Sequence, residues 1–120
     1  MHEGSIAAAV IQEALAVMER EGISTARQVT VRIGRLHHVV ADVLQNYYRQ
    51  LKRDHASLRR STLRIEFAAV RIRCRRCQQE TELSKAAFYC PACGTADGQA
   101  IEICGGQELD LVSITGNRPD

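Results

Sequence analysis

The chain has 120 residues, which is enough for one small domain or for a domain with a satellite. Apolar residues make up 45% of it and charged residues 25%, as in ordinary globular chains. The net charge of +2 is too balanced to require a nucleic acid or an anionic membrane as partner. The longest stretch without a charged residue, Ala86 to Ala96, is too short to span a bilayer. The first residues lack the basic region of a secretory signal, so a cytoplasmic location is expected.

Two amphipathic helices are predicted from the apolar spacing. The first has Ser5 as its N-cap and runs to about Glu21, with Gly22 as its stop signal. The second runs roughly over residues 39–55. Its apolar stripe, which we expect to be buried against a sheet, consists of Val40, Leu44, Tyr47 and Leu51.

Three stretches alternate apolar and polar residues as half-buried strands do. The first ends at Gly34, the second covers residues 63–67 with an extension to Ile72 left open, and the last runs from Glu108 to about Ile114. Residues 116–120 are predicted to be a disordered tail. The sequence therefore predicts an α+β fold in which two helices pack on a small mixed β-sheet. A cysteine-rich subdomain is inserted between the last two of these strands.

The cysteine-rich segment carries the strongest chemical signal in the chain. Two Cys-x-x-Cys pairs, Cys74 with Cys77 and Cys90 with Cys93, are separated by twelve residues. Such pairs can direct four thiolates at one ion, as in a zinc ribbon, and Gly94 suits the positive φ of the turn. Four thiolate ligands leave no open coordination position, so this zinc is structural. A redox pair, an iron–sulfur cluster and four unrelated buried thiols are the alternatives.

The fifth cysteine, Cys104, is a possible spare ligand or redox group. A small buried hydrophobic role is the preferred interpretation. Five cysteines in a chain without a leader indicate reduced thiols or metal rather than a disulfide framework.

The amino terminus offers a second set of metal ligands. The Met1 amine, the His2 amide nitrogen and the His2 imidazole can close two chelate rings around one ion, with Glu3 as an additional oxygen ligand. Nitrogen ligands of this kind suit Ni(II) or Cu(II). The alternative is a frayed terminal histidine, and from these three residues alone that interpretation is favoured. His37 and His38, near the start of the second helix, either face the same metal or lie in a solvated loop.

Taken together, the motifs resemble the HypA family of nickel-insertion accessory proteins for hydrogenase and urease. The resemblance rests on Met1-His2-Glu3, on Val31-Arg32-Ile33-Gly34, on the two cysteine pairs and on residues 105–111, Gly-Gly-Gln-Glu-Leu-Asp-Leu. It extends over essentially the whole chain. The chain departs from the family in having Gly4 after Met-His-Glu, which predicts a flexible terminus. It also has no histidine between Cys74 and Cys93, so a pH-dependent exchange of zinc ligands is not carried over.

The resemblance implies a nickel metallochaperone that is not an enzyme. It implies Ni(II) as cargo at Met1, His2 and Glu3, with Asp42 as a further candidate ligand, and Zn(II) at the four cysteines. Implied partners are a HypB-type GTPase and the apo-hydrogenase large subunit or urease accessory proteins, with the chain itself a monomer or homodimer. The implied domains are a nickel-binding domain over residues 1–70 plus 106–116 and a zinc-binding ribbon over 71–105.

A zinc ribbon that binds nucleic acid or protein, without nickel, is the alternative function. Four arginines cluster on the predicted ribbon and could contact phosphates. They are Arg71, Arg73, Arg75 and Arg76.

Overall fold

The computed structural model describes residues 2–83 and 89–119 and divides the chain into two compact units. The α+β unit comprises Met1–Arg32, Val39–Glu66 and Leu109–Asp120, and the ribbon unit comprises Ile33–His38 and Phe67–Glu108. Two helices, small sheets and an inserted four-cysteine ribbon confirm the predicted fold class. Within the described residues, no helix is long and apolar enough to cross a membrane.

The helices and strands follow one another in a simple order. They are α1 (Glu3–Glu21), β1 (Thr25–Gly34), α2 (Ala41–Leu51), β2 (Thr62–Ala68), β3 (Val70–Cys74), β4 (Glu80–Leu83), β5 (Ile101–Gly105) and β6 (Leu109–Asn117). Short 3-10 turns, Arg35–His37 and Lys52–Asp54, flank α2 on either side.

One sheet has the strand order β2-β1-β6. The Ser24 amide donates to the Asn117 carbonyl and the Gly34 amide to the Glu108 carbonyl, so β1 and β6 run antiparallel. Thr62 donates to the Arg27 carbonyl, and further along both strands Arg32 pairs with Glu66. Residue numbers therefore rise in the same direction along β1 and β2, so these two strands are parallel. The sheet is therefore mixed, with α2 in the parallel crossover from β1 to β2.

The start of α1 lies earlier than predicted. The helix begins at Glu3 with His2 at its N-cap, so the prediction of Ser5 as the N-cap is wrong. Gly22 ends the helix at a φ of 68°, as predicted. Gly4 lies within the first turn of α1. A Cβ there would lie 3.2 Å from the Tyr47 ring, so glycine lets that ring lie against the first turn of α1.

The buried face of α2 also differs from the predicted stripe. Leu44 is fully buried as expected, but Val40 is 54% and Tyr47 37% exposed, and the other fully buried residue of the helix is Tyr48. The apolar side chains of α2 therefore form two faces, because the helix packs against α1 as well as into the core.

Two strand boundaries differ from expectation. The chain does not continue as one strand from residue 63 to Ile72, because β2 ends at Ala68 and β3 begins at Val70 in the second sheet. The last strand extends to Asn117, so the predicted disorder of residues 116–117 is wrong. The Asn117 carbonyl accepts a hydrogen bond from the amide of Ser24, the residue just before β1.

The ribbon unit is a second sheet in which β3 lies between β4 and β5, antiparallel to both. Val70 pairs with Leu83, and Cys74 pairs with Ile101. The described apolar cluster is small and consists of Val70, Ile72 and Leu83 with Leu36 and Ile101 packed against it. The base of the unit is tight: Gly106 adopts a φ of 105°, and a Cβ on it would lie 2.9 Å from the Val70 Cα.

Tyr48 contributes a buried hydrogen bond to the α+β unit, 2.6 Å between its hydroxyl and Ser61 Oγ. Burial raises the pKa of Tyr48 above its ordinary value of 10.0, and the bond to Ser61 opposes that shift. A group with a raised pKa stabilises the fold below its unfolded-state pKa and loses that contribution as pH rises through the folded pKa. Stability from Tyr48 is therefore lost in alkali.

The variant Tyr48→Phe tests this contribution. At neutral pH we expect it to lower the free energy of unfolding by about 1 kcal/mol, because Ser61 loses a buried partner. This difference should shrink as the pH rises above 10.0, since phenylalanine cannot ionise. Urea unfolding at pH 7 and at alkaline pH measures both values. An equal difference at both pH values would contradict the expectation.

Candidate metal sites

The two cysteine pairs lie in turns with the same backbone geometry. In the first, the Gln78 amide donates to the Cys74 carbonyl and the Cys74 amide to the Gln79 carbonyl. In the second, the Gly94 amide donates to the Cys90 carbonyl and the Cys90 amide to the Thr95 carbonyl. The residue after each second cysteine has positive φ, 65° at Gln78 and 78° at Gly94. The expectation for Gly94 is confirmed, whereas the equivalent role of Gln78 was not recognisable from its residue type.

The four Sγ atoms of Cys74, Cys77, Cys90 and Cys93 lie within 4.8 Å of one another. Cys74 and Cys93 are 3.7 Å apart at Sγ, and Cys77 and Cys90 are 3.6 Å apart. A tetrahedral zinc with Zn–S bonds of about 2.3 Å requires S–S edges of about 3.8 Å. These four thiols therefore fit a tetrahedral metal ion.

The pKa values of the four thiols also favour a bound cation. The Cys77 amide is the main cause that lowers the pKa of Cys74 to about 7, and amides of the second turn, first that of Cys93, lower the pKa of Cys90. The Gln79 amide lowers the pKa of Cys77 too, but burial and the neighbouring thiols outweigh it and raise that pKa to about 11. Four thiols in contact do not all ionise without positive charge between them, and a bound metal supplies it.

The arginines of the ribbon are engaged within the ribbon unit. Arg71 pairs with Glu82 at 3.8 Å and Arg75 with Glu102 at 3.7 Å. The other two donate hydrogen bonds to neutral acceptors, Arg73 to the Gln78 side-chain oxygen and Arg76 to the Thr95 hydroxyl. The Arg75 and Arg76 bonds link the first cysteine turn to β5 and to the second cysteine turn.

Cys104 lies in β5 and is exposed, so the predicted role as a small buried hydrophobic residue is wrong. It is not part of the group formed by the other four thiols. The alternation in β5 does not bury this side chain, because the strand lies at the edge of a small sheet.

At the amino terminus, the structure describes His2 and Glu3, while the predicted ligand Met1 lies outside the described residues. His2 is exposed at the N-cap of α1, and its ring meets the Tyr47 ring edge-on at 6.4 Å between centroids. Its side chain makes no capping hydrogen bond, while its carbonyl accepts the Ile6 amide. The His2 amide precedes the helical residues, so no bond of the α-helical ladder depends on it. Sequence reasoning missed Tyr47 as a neighbour of this site, because the contact depends on the packing of α2 on α1.

Glu3 connects the first turns of the two helices. Its Oε1 accepts a hydrogen bond from the Val40 amide at 3.3 Å, immediately before α2. Its own amide, followed by that of Val40, lowers the pKa of the Glu3 carboxyl, so the group stays ionised next to two helix N-termini. The carboxylate therefore has a structural partner in addition to its predicted role as a ligand.

The remaining candidate ligands are placed as follows. His37 donates from Nε2 to the Gln107 carbonyl at 2.9 Å, and His38 is exposed at a φ of 53°. Asp42 is exposed in the first turn of α2. Over residues 2–83 and 89–119, the four cysteines are the one group of three or more candidate ligands close enough to share an ion.

The fold and the four-thiol cluster define a small α+β protein with a ribbon whose four cysteines could hold a metal ion. Residues 1–116 match the family model described as "Hydrogenase/urease nickel incorporation, metallochaperone, hypA". The chain belongs to the HypA family, as the sequence motifs predicted. The family is one of metallochaperones, which confirms that the chain is not an enzyme.

Individual relatives agree with this assignment. The chain is 36% identical over 115 residues to hydrogenase maturation factor HypA of Chloroflexus aggregans, covering 95% of this chain and 97% of that one. It is 31% identical over 114 residues to the HypA of Nitrosospira multiformis, covering 95% and 96%. The solution structure of the Ni metallochaperone HypA from Helicobacter pylori has the same fold, with a TM-score of 0.73, 18% identity and coverage of 99% and 100%.

Proposed function

We propose that the chain is a nickel metallochaperone for hydrogenase maturation that acts in the cytoplasm. Ni(II), its cargo, is bound by the Met1 amine, the His2 amide nitrogen and the His2 imidazole, with Glu3 beside them. The observation that carries the assignment to these residues is the state of His2, whose imidazole has no hydrogen-bond partner among the described residues. Family membership supports the choice of metal.

The chemistry of the N-cap favours this site. Binding through the His2 amide nitrogen requires loss of its proton, and no helical hydrogen bond is lost with it. The amidate that results lies at the positive end of the α1 dipole, which stabilises negative charge. Glu3 remains bonded to Val40 and adds negative charge close to the cation.

We propose Zn(II) as the ion of the four-cysteine site, with a structural role. The four thiolates would complete its coordination shell, so it offers no position to a substrate. The described core of the ribbon unit is small, so metal binding contributes much of its folding free energy. The division into a nickel-binding domain of residues 1–70 plus 106–116 and a zinc-binding domain of 71–105 is part of this proposal.

The partners proposed from the resemblance are a HypB-type GTPase and either the apo-hydrogenase large subunit or urease accessory proteins. The nucleic-acid alternative receives no support from the ribbon arginines, since each is bonded to a neighbour in the ribbon unit.

Nickel titration of terminal variants tests the proposal. His2→Ala removes the imidazole, and two residues added before Met1 remove the free amine, so each should abolish specific nickel binding measured by calorimetry. Zinc content should stay unchanged in both, because the ribbon is a separate site. His38→Ala is the matched control, since it removes an exposed imidazole outside the terminus. If His2→Ala binds nickel as tightly as the wild type, nickel does not bind at the terminus.

A further inference from the structure

The ring of Tyr47 lies beside the start of α1, where nickel is proposed to bind. It meets the His2 ring edge-on, with 6.4 Å between the ring centroids and 67° between the ring planes. Aromatic pairs favour such an arrangement at centroid distances of about 4.5–7 Å. Both residues belong to the α+β unit. Tyr47 is exposed rather than part of the buried core, so its ring is available for contacts at the helix start.

Gly4 provides the space that the Tyr47 ring occupies. A Cβ at this position would lie 3.2 Å from Cε1 of Tyr47, which is tighter than ordinary van der Waals contact. A longer side chain at residue 4 would extend into the same space. The ring therefore takes the place that a side chain at residue 4 would fill, next to the residue that carries the imidazole.

A second contact joins the same two segments. Glu3 accepts a hydrogen bond from the Val40 amide, immediately before α2. Val40 and Tyr47 are seven residues apart, which places them on one face of α2. Two successive residues of the terminus, His2 and Glu3, are therefore both held by this face.

The contact with Tyr47 leaves the imidazole able to bind a metal ion. No hydrogen bond of the described residues uses the ring nitrogens of His2. An exposed terminal side chain samples several rotamers and loses that freedom when it binds an ion, and restriction in advance reduces this cost. A metal-bound imidazole also carries part of the positive charge of the ion, which an aromatic ring attracts.

We propose that Tyr47 is a positioning residue of the terminal nickel site. Its ring holds the His2 imidazole ready to bind Ni(II) and is not itself a ligand. Gly4 shares in this role, because it admits the ring. The role rests on the proposed function, since it requires that nickel binds at His2.

Calorimetric titration of Ni(II) into variants of the full chain tests this role. Tyr47→Leu keeps an apolar side chain over Gly4 but lacks the ring, so we expect a nickel affinity about fivefold weaker, as for the loss of one aromatic pair. Tyr47→Phe keeps the ring and should bind as tightly as the wild type. Val43→Ala is the matched control, because it shortens an apolar side chain of similar exposure, 39%, on the same helix. It should also bind as the wild type does.

NMR without nickel separates positioning of the imidazole from support of the helix. The Ile6 amide donates to the His2 carbonyl at 3.0 Å, so its exchange rate reports whether the first turn of α1 is intact. We expect this rate to be equal in Tyr47→Leu and the wild type. The ring-proton shifts of His2 should change, because the ring current of Tyr47 is lost. Faster Ile6 exchange in Tyr47→Leu would show that Tyr47 merely stabilises the helix start, and would overturn the proposal.

Two affinity results would also overturn it. These are equal nickel affinities of Tyr47→Leu and the wild type, and equal losses in Tyr47→Leu and Tyr47→Phe. His2→Ala distinguishes such a failure from failure of the proposed function. If His2→Ala abolishes binding and Tyr47→Leu leaves it unchanged, nickel binds at the terminus but Tyr47 does not position the imidazole. If both variants bind as tightly as the wild type, nickel binds elsewhere and both proposals are wrong.

Discussion

Replacing Cys90 by serine is expected to release the ribbon metal and to unfold the ribbon unit while the α+β unit persists. Structural zinc contributes an apparent 10–16 kcal/mol or so in small zinc-binding peptides, far more than the few apolar side chains of this unit can replace. Zinc per chain is measured by mass spectrometry. NMR should show loss of dispersion for residues 67–83 and 89–108 and retention of it for α1.

The matched control for this variant is Cys104→Ser. It removes an exposed thiol of the same unit that is not part of the four-thiol group, so zinc content and dispersion should equal those of the wild type. A Cys90→Ser chain with a fully dispersed ribbon spectrum and neither zinc nor iron would contradict the assignment of a structural metal.

Leu44→Ala should cost about 2–5 kcal/mol of unfolding free energy, because it leaves a cavity at a fully buried position of α2. Urea unfolding followed by circular dichroism measures the change. Val40→Ala is the control from the same predicted stripe. Its side chain is 54% exposed, so the expected change stays within about 0.5 kcal/mol. Equal costs for the two variants would show that the buried face of α2 is wrongly assigned.

The comparison of these two residues shows where sequence reasoning was limited. The period of the apolar residues predicted that α2 is a helix, because the period reflects local backbone geometry. The period did not show that Val40 and Tyr47 are exposed and Tyr48 buried, since the burial of each side chain depends on where α1 packs on α2. The prediction of Ser5 as the N-cap fails for a similar reason. Its residue type favours that position, but Gly4 and Tyr47 allow the helix to begin at Glu3.

The four-thiol cluster was predictable because its geometry is local. Each Cys-x-x-Cys pair closes its own turn, so residue spacing alone brings two thiols together. The backbone conformation of Gln78 and the exposure of Cys104 depend on the turn and on the ribbon sheet, and the sequence carried no signal for either. The contact of Glu3 with Val40 joins residues far apart in the chain, and periodicity contains no information on such a pair.

The tight base of the ribbon unit bears on how this chain can vary in evolution. The segment from Val70 to Gly106 begins and ends at the same place, where Gly106 packs on Val70 in a backbone conformation that suits glycine alone. The entropy of closing a loop grows with the logarithm of its length, so each doubling costs only about 0.6 kcal/mol. Insertions in this segment that leave β4 and the cysteine turns intact should therefore be tolerated at small cost in descendants of this chain, whereas Gly106 should stay invariant.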